Sequence, residues 1–370
     1  MTFLSTRPVF RLLVLAAAGT MALSACGSDS QGASTTNASN SSPTAATTCA
    51  SGDLTGAGST FQKNIVAQWI KDFGAACTGA NLDYQPVGSG AGITQFGAST
   101  IDFAGSDSTM KDDEQAAADK RCGNPAIHLP ITAGGIAVMY KLGDIKDLQL
   151  SPTTLAGIFQ GTVTTWDDAA VKADNPGVQL PRTPITAVHR SDSSGTTSVF
   201  SKFLAAAAPS DWKLGEGKEL KWPASVQGAK GSDGVTQAVA GGDGSVTYAE
   251  VSYATSSGLG VAKVKNGAGE YVGLDGASVG KALEGASVPD SGDLKVTYDF
   301  ANKTAGAYPI TALSYEIVCS KGNDPGKLAL LKAFLTYAAT AGQSAAEGLG
   351  FAPLPQSIAA KVTTTIEALG

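Results

Sequence analysis

The feature that most constrains the fold is a transition that occurs three times: a strand-like stretch ends in a turn of Gly, Ser and Thr, and a helical pattern begins at once. The turns read GAGST at 56–60, GSGAG at 88–92 and SSGTT at 193–197. Alternating strands and helices predict an α/β protein with a mainly parallel sheet. Helix starts carry unpaired N–H groups, and ligands bind beyond the carboxyl ends of such strands. The turns therefore indicate an anion site, although Ser and Thr are also ordinary helix caps.

Hydrophobic spacing predicts the elements around these turns. A helix of about four turns follows the first turn. An apolar strand is expected at 126–140, broken by the pair Gly134–Gly135, and a capped helix at 151–161. GSVTYAEVSYA at 244–254 predicts another strand. The apolar positions of the first helix are Phe61, Ile65, Val66, Trp69, Ile70 and Phe73.

The first 25 residues have the pattern of a secretory leader. Arg7 and Arg11 precede an apolar run at 12–23 that is shorter than the ~20 residues of a permanent membrane span. The run ends in LSAC, which resembles a bacterial lipobox; an ordinary signal peptide with a chance cysteine is the alternative. We expect a signal peptide at 1–25, a diacylated Cys26, and a flexible polar tether over 26–48. The protein is then lipid-anchored on the extracytoplasmic face of the cell membrane.

The net charge of the chain limits the kinds of partner that the protein is expected to bind. The leader contains two arginines and no acid, so the net charge of −6 becomes −8 in the mature chain. An acidic exported protein is not expected to bind nucleic acid, and any anion must be held by local geometry. The roughly 320 remaining residues exceed one typical domain, so two lobes are expected.

The cysteines fit an exported protein. Four remain besides Cys26, an even number that allows three disulfide pairings. With two histidines and no CxxC motif, the sequence predicts no zinc site and no cofactor.

Several segments together resemble one family. They are GAGSTF, VGSGAG, DFAGSD, TTWDDAAV with NPGVQLP, HRSDSSGTT and KGSDGV. Their order and approximate spacing are similar to those of the periplasmic-type phosphate-binding proteins that feed ABC phosphate importers, in particular lipid-anchored, actinobacterial-like members. The resemblance covers nearly all of 52–369. It implies a type II periplasmic-binding-protein fold, in which two α/β lobes with mixed, mainly parallel sheets and a two-strand hinge close on one phosphate in a dry cleft. It also implies a monomeric binding protein, not an enzyme, that serves membrane permease subunits.

The resemblance assigns roles in the first lobe. Thr60 and the N–H of Phe61 match the first helix start, and Ser89 matches the second. Asp107 matches the carboxylate that accepts the phosphate's own proton.

It assigns further roles in the second lobe. Arg190 matches the guanidinium, and Asp192 matches the residue that pairs with it. Where the usual turn has Gly, this chain has Ser193, which would slightly tighten the loop. The matching hydroxyls and N–H groups belong to Ser194, Gly195 and Thr196.

The chemistry of these residues fits a phosphate site even without the family resemblance. Hydroxyls and amides can supply most of the donors a phosphate needs, and one arginine supplies bidentate charge. An aspartate in an anion site makes sense if the anion carries a proton for the carboxylate to accept.

Three other functions remain open. The site could hold another tetrahedral oxyanion, sulfate or molybdate, although Asp107 argues against fully deprotonated anions. A phosphate-ester hydrolase could use Ser194 with His189, but there is no GxSxG elbow, and His189 is expected to be a strand-end residue, as His128 is a half-buried one. The chain could also be a structural or adhesive lipoprotein that retains the fold.

The lobes and disulfides follow from the order of elements. We expect lobe one to combine 49–131 with 308–370 and lobe two to be 132–307, because the apolar stretches 126–135 and 308–315 suit paired hinge strands. Of the three pairings we favour Cys49–Cys77, which a strand–helix return brings together, and Cys122–Cys319, which flank two neighbouring strands.

Overall fold

The computed structural model describes residues 48–370. The expected signal peptide, Cys26 and the tether up to residue 47 lie outside the described residues. The strands are β1 Gly52–Gly58, β2 Ala80–Gln85, β3 Phe103–Ser106, β4 Ala126–Lys141, β5 Gln149–Leu150, β6 Thr186–Arg190, β7 Gln227–Ala229, β8 Ser245–Glu250, β9 Gly260–Val261, β10 Lys263–Lys265, β11 Tyr271–Val272, β12 Thr311–Cys319 and β13 Phe351–Ala352.

The helices lie between these strands. They are α1 Lys63–Ala76, α2 Ser89–Gly97, α3 Asp112–Cys122, α4 Pro152–Phe159, α5 Ala169–Asp174, α6 Gly195–Ala207, α7 Gly231–Ala240, α8 Val251–Ser257, α9 Gly276–Leu283, α10 Leu328–Ala339 and α11 Gln356–Glu367, with two short 3-10 helices, Ala341–Ala345 and Glu347–Leu349. Over residues 48–370, no helix is both long and apolar enough to cross a bilayer.

Ten strands form one mixed sheet. Its main order is β2-β1-β3-β12-β4-β8-β6-β7, and a small second sheet has the order β11-β10-β5. β1 pairs in parallel with β2 and β3, and β6 with β7 and β8. Between them, β12 is antiparallel to β3 and β4, and β4 is antiparallel to β8. The carboxyl ends of both parallel groups therefore face the middle of β4.

β4 is continuous, whereas the sequence predicted a break at its glycine pair. Residues 126–135 pair with β12 and residues 136–141 pair with β8, so one strand belongs to both halves of the sheet. The glycines serve close packing instead of a break. A Cβ on Gly134 would lie 2.9 Å from the ring of Phe61, and one on Gly135 would lie 2.0 Å from Leu274.

The predicted first helix is confirmed as α1. Its buried residues are Ile65, Val66, Trp69 and Phe73, which recur at the spacing of one helical face. The indole N–H of Trp69 donates to the carbonyl of Gly342 at 2.8 Å. This packing holds the start of α1 beside the carboxyl end of β1.

The predicted strand at 244–254 ends early. β8 stops at Glu250 and α8 begins at Val251. The carboxylate of Glu250 accepts the N–H of Ser252 at 2.9 Å and thereby caps the first turn of α8. The buried Tyr253 and Ala254 fit a short helix as well as a strand, so apolar spacing alone could not separate the two.

The structure contains the two disulfides that the sequence favoured, Cys49–Cys77 and Cys122–Cys319. The first ties the entry of β1 to the end of α1. The second joins the end of α3 to the end of β12.

A segment after α9 returns to the first half of β4. The N–H of Leu294 donates to the carbonyl of His128 at 3.1 Å, and Nδ1 of His128 lies 2.8 Å from Oδ1 of Asp293. His128 is fully buried, not half-buried as predicted, because Asp293 and the N–H of Met110 satisfy both ring nitrogens. This segment thus contacts strands of the first lobe, and the lobe boundaries stay a prediction.

Candidate functional site

Five loops converge where the carboxyl ends of the strands face the middle of β4. They follow β1, β2, β3, β6 and β7 and lead into α1, α2, α3, α6 and α7. All eight predicted binding residues are buried: Arg190 ends β6, and the other seven lie on four of these loops or at the helix starts they lead into. The eight are Thr60, Phe61, Ser89, Asp107, Arg190, Ser194, Gly195 and Thr196.

Asp107 is the acidic group of the site. It directly follows β3 and is 3 % exposed. Its Oδ1 accepts the hydroxyls of Ser59 at 2.5 Å and Ser314 at 2.8 Å, and its Oδ2 accepts the hydroxyl of Thr196 at 3.2 Å. Because Thr196 lies on α6, Asp107 connects the two groups of parallel strands.

The charge of Asp107 depends on opposing effects. Burial raises the pKa of Asp107 above its ordinary value. The hydroxyls of Ser59, Ser314 and Thr196 and the guanidinium of Arg190 act in the opposite direction and lower the pKa. Arg190 is therefore close enough to Asp107 to act on its charge.

Arg190 is held by Asp192, as the sequence predicted for this pair. Nε of Arg190 donates to Oδ1 of Asp192 at 2.7 Å, and Nη2 donates to Oδ2 at 2.5 Å. Burial alone would raise the pKa of Asp192, but the bonds from Arg190 and its charge lower it below the ordinary value. The two parallel bonds fix the guanidinium plane and leave Nη1, which lies 3.4 Å from the hydroxyl of Ser232.

Thr60 and Phe61 lie before α1. The Thr60 hydroxyl lies 2.8 Å from the Ser232 hydroxyl and accepts the N–H of Ser232 at 3.1 Å. The Thr60 carbonyl accepts the hydroxyl of Tyr253 at 2.7 Å. The N–H of Phe61 donates to the hydroxyl of Ser59 at 3.0 Å.

Ser89 and Ser193 bring two helix starts together. The hydroxyl of Ser89 accepts the N–H of Asp107 at 3.4 Å. The carbonyl of Ser193 accepts the N–H of Gly90 at 3.0 Å, and a Cβ on Gly90 would lie 2.2 Å from the Ser193 hydroxyl. Ser193, the departure from the usual turn, thus fills the space above Gly90.

The start of α6 packs directly against the start of α2 and the loop after β3. Ser194 caps this helix by accepting the N–H of Thr197 at 3.1 Å. A Cβ on Gly195 would lie 2.5 Å from the hydroxyl of Ser89 and 2.8 Å from the backbone nitrogen of Asp107. The glycine therefore lets the start of α6 lie close to Ser89 and Asp107. The unpaired N–H groups of this helix start favour a bound anion.

His189 and Ser194 are engaged elsewhere. Nδ1 of His189 lies 2.8 Å from the carbonyl of Arg190, and its ring stacks on Trp222 with centroids 4.8 Å apart. The Ser194 hydroxyl caps α6. Within residues 48–370, no side chain that could act as a base is hydrogen-bonded to the Ser194 hydroxyl, as a hydrolase nucleophile needs.

Sequence reasoning missed four residues of the site. Ser59 and Ser232 were contained in the quoted segments GAGSTF and KGSDGV, so their signal was present but not assigned. Ser314 and Gln62 carried a weaker signal. Ser314 alternates with Glu316 as a polar position inside an apolar strand, which suggests one polar face.

The chain is similar over nearly its whole length to known proteins. The family model for the PBP superfamily domain matches residues 43–341. The chain is 40% identical to phosphate-binding protein PstS3 of Mycobacterium bovis, over 95% of this chain and 96% of that protein. It is 38% identical to phosphate-binding protein PstS 2 of Mycobacterium tuberculosis, over 96% of this chain and 97% of that protein.

A solved structure gives the same family. It is a high-affinity periplasmic phosphate-binding protein, PfluDING, bound with phosphate, with a TM-score of 0.69 and 25% identity, over 85% of this chain and 93% of that chain. The mixed α/β sheet and the converging loops described above agree with the two-lobe fold of such proteins. The chain belongs to the PBP superfamily and, within it, to the PstS phosphate-binding proteins.

Proposed function

We propose that this protein captures inorganic phosphate outside the cytoplasm and delivers it to the permease subunits of an ABC importer. Its PstS relatives are named for phosphate binding, and the solved neighbour holds phosphate. The protein binds its substrate without transforming it.

The observation that carries this proposal is one buried cation close enough to one buried acid for its charge to lower the pKa of that acid. Arg190 and Asp107 are each 3 % exposed. A charge-assisted bond from Arg190 would attract any small oxyanion, whereas the carboxylate of Asp107 favours one that carries a proton. Phosphate near neutral pH meets both conditions. Sulfate and molybdate meet only the first.

In this proposal the remaining donors surround the phosphate. Thr60, Phe61 and Ser89 supply hydroxyl and N–H groups from the first lobe. The start of α6 supplies the others, through Ser194, Gly195 and Thr196. Asp192 does not touch the anion but holds Arg190 in the orientation that does.

We also propose that the protein is a monomer held at the membrane by a lipid on Cys26. The sequence supports the lipid anchor, because the lipobox-like LSAC ends at Cys26 and is followed by a polar segment. Two acyl chains on one cysteine anchor stably where a single chain is marginal. Cys26→Ser should release the protein from the detergent phase of a Triton X-114 extraction; a variant that stays there as fully as the parent does not use Cys26 as its anchor.

The test of phosphate capture has two steps. Purified protein is unfolded in denaturant and the released phosphate is assayed, which separates a phosphate-binding protein from a structural relative that only retains the fold. Refolded, phosphate-free protein is then titrated by calorimetry with phosphate, sulfate and molybdate. We expect one phosphate per chain and no heat of binding from the other two at millimolar concentration. Tight sulfate or molybdate binding, or no phosphate binding, would contradict the proposal. Incubation with p-nitrophenyl phosphate should release no nitrophenol.

A further inference from the structure

A second buried carboxyl group is linked to Asp107. Glu316 on β12 is 1 % exposed. Its Oε1 lies 2.6 Å from Nε2 of Gln62, Oε1 of Gln62 lies 2.6 Å from the hydroxyl of Ser314, and that hydroxyl lies 2.8 Å from Oδ1 of Asp107. The two carboxyl groups are thus joined through one amide and one hydroxyl.

Each of these short contacts needs one hydrogen, and the hydrogens can be counted. With the Gln62 amide nitrogen toward Glu316, the amide oxygen faces Ser314 and can only accept. Ser314 must then give its single hydrogen to Gln62. The hydrogen between Ser314 and Asp107 must come from Asp107, which is therefore protonated and neutral, while Glu316 accepts the N–H of Gln62 and does not need a proton of its own.

Turning the amide by 180° reverses the result. The amide nitrogen of Gln62 then donates to Ser314, and Ser314 donates to Asp107, which is ionised. The amide oxygen of Gln62 now faces Glu316, so Glu316 must supply the hydrogen and is neutral. In either orientation at least one of the two carboxyl groups must hold a proton, and the orientation of the Gln62 amide decides which one it is.

The surroundings favour the proton on Glu316. Burial raises the pKa of Asp107, but three hydroxyls and nearby Arg190 oppose this effect and stabilise its charge. Glu316 Oε1 is bonded to Gln62, and within residues 48–370 no group hydrogen-bonds its Oε2. Turning the amide loses one neutral hydrogen bond. Gln62 no longer donates to Tyr84, and the single hydroxyl hydrogen of Tyr84 can go either to the Gln62 oxygen or to the carbonyl of Ser59, not to both. An uncompensated buried charge on Glu316 costs more than one neutral bond.

We propose that Glu316 holds the proton of this pair in the phosphate-selective protein, so that Gln62 and Ser314 keep Asp107 ionised and able to accept the proton of phosphate. This inference rests on the proposed function. Glu316 does not touch the anion; it is a positioning residue that acts through Gln62.

The titratable groups that face Glu316 agree with this assignment. They are Tyr84 on β2 and Asp107 after β3, with Arg190 beyond Asp107. The pKa of Glu316 is raised to about 8 in total: burial raises it most, a hydrogen bond from the Gln62 nitrogen lowers it, and the charge of Asp107 raises it. The space for the network comes from Gly105, since a Cβ there would lie 2.1 Å from Nε2 of Gln62 and 2.2 Å from the hydroxyl of Tyr84.

The protonation of Glu316 can be measured directly. Protein labelled with ¹³C at the glutamate side-chain carboxyl is studied by NMR with phosphate bound at about pH 6.5, and the two buried glutamates are assigned with Glu316→Gln and Glu250→Gln. We expect the Glu316 carboxyl to resonate as a neutral acid. A resonance typical of a carboxylate would overturn the proposal, and this result does not depend on how any variant folds.

Two variants test the effect on selectivity. In Glu316→Met the new side chain gives no hydrogen to Gln62. The amide nitrogen of Gln62 then turns to Tyr84 and its oxygen accepts the hydrogen of Ser314, so Asp107 must take up the proton. We expect the ratio of phosphate affinity to sulfate affinity to fall at least about tenfold. Glu316→Gln can donate an N–H to Gln62 as the protonated acid does, and it should restore the parent ratio. The matched control is Glu250→Gln, a change at another buried glutamate that hydrogen-bonds Ser252 and none of Gln62, Ser314 and Asp107, which should leave the ratio unchanged.

The outcomes separate this inference from the proposed function. If the parent protein fails to bind phosphate, the proposed function is wrong. A parent that binds phosphate selectively, while Glu316→Met keeps the same phosphate-to-sulfate ratio, overturns the role of Glu316 alone.

Discussion

Thr60 and Ser232 are joined by two contacts between the loop before α1 and the start of α7: their hydroxyls lie 2.8 Å apart, and the N–H of Ser232 donates to the Thr60 hydroxyl at 3.1 Å. Nη1 of Arg190 lies 3.4 Å from the same Ser232 hydroxyl. One serine therefore contacts both a predicted donor of the first lobe and the cation of the second. Ser232 therefore belongs to the candidate site, although the sequence assigned it no role.

Ser232→Ala should weaken phosphate binding modestly. The change removes one hydroxyl but keeps the N–H that Thr60 accepts, and a neutral hydrogen bond contributes about 0.5–1.5 kcal/mol. We expect roughly a 2- to 10-fold rise in Kd in a calorimetric titration. The exposed Ser210 provides a matched control, Ser210→Ala, which should bind as the parent does. Equal affinities for Ser232→Ala and this control would remove Ser232 from the site.

Arg190→Ala should be far more severe. It removes the cation and leaves Asp192 buried without the partner that holds it. Loss of one member of a buried, hydrogen-bonded charge pair costs about 2–5 kcal/mol, which is roughly 30- to several-thousand-fold in Kd. Calorimetry or competition with labelled phosphate measures this change. Arg182→Ala, at an exposed arginine, is the control; unchanged phosphate affinity in Arg190→Ala would place the site elsewhere.

The site was predictable where its chemistry coincides with local sequence. Small and hydroxyl residues mark each strand-to-helix turn, so the sequence and the family resemblance together predicted a shared site for Thr60, Ser89 and Arg190. The structure brings these residues to one cluster of loops, and their contact with an anion stays a prediction. The helix α1 was predictable because its apolar residues keep a period of 3.6.

The parts that escaped prediction depend on contacts between distant positions. Gln62 and Glu316 are 254 residues apart, and Asp293 and His128 are 165 apart. No local sequence pattern indicates that two residues so far apart along the chain are in contact. The continuity of β4 escaped for a similar reason, since Gly134 and Gly135 are required by Phe61 and Leu274 from other elements.

The two disulfides should contribute unequally to stability. Cys122–Cys319 spans 197 residues and Cys49–Cys77 spans 28. Closing a longer loop removes more entropy from the unfolded chain, which corresponds to roughly 5 kcal/mol for the long loop and roughly 3.5 kcal/mol for the short one. Urea unfolding of the two double Cys→Ser variants should show the larger loss of unfolding free energy for the Cys122/Cys319 pair. A larger loss for the Cys49/Cys77 pair would contradict this.

Glu250 should make stability depend on pH. Burial raises its pKa from 4.5 to about 8, although bonds from Ser252 and Val251 lower it. Between these values the unfolded chain releases the proton and the folded chain keeps it. The free energy of unfolding therefore falls as pH rises through this interval, by up to about 1.4 kcal/mol per pH unit.

Glu250→Gln should remove this contribution. The variant should gain stability relative to the parent as the pH of a urea titration is raised from 5 to 8, by several kcal/mol in total. Glu367→Gln, at an exposed glutamate, should follow the parent at both pH values. A constant difference between Glu250→Gln and the parent would mean that Glu250 is ionised in the folded protein at both.

The most direct test of the account is the phosphate-to-sulfate affinity ratio of Asp107→Asn, measured by calorimetry beside the parent and the exposed-site control Asp53→Asn. Facing phosphate, the Asp107 carboxylate accepts a short O–H···O⁻ bond; facing sulfate, it meets a bare oxygen in a site little screened by water. A site built around a substrate hydroxyl can reject an analogue without one by ~10⁴–10⁵. We predict that the parent and Asp53→Asn do not respond to millimolar sulfate, and that Asp107→Asn loses much of this discrimination by gaining sulfate affinity, losing phosphate affinity, or both. An unchanged ratio in Asp107→Asn would show that Asp107 is not the proton acceptor and that the proposed basis of selectivity is wrong.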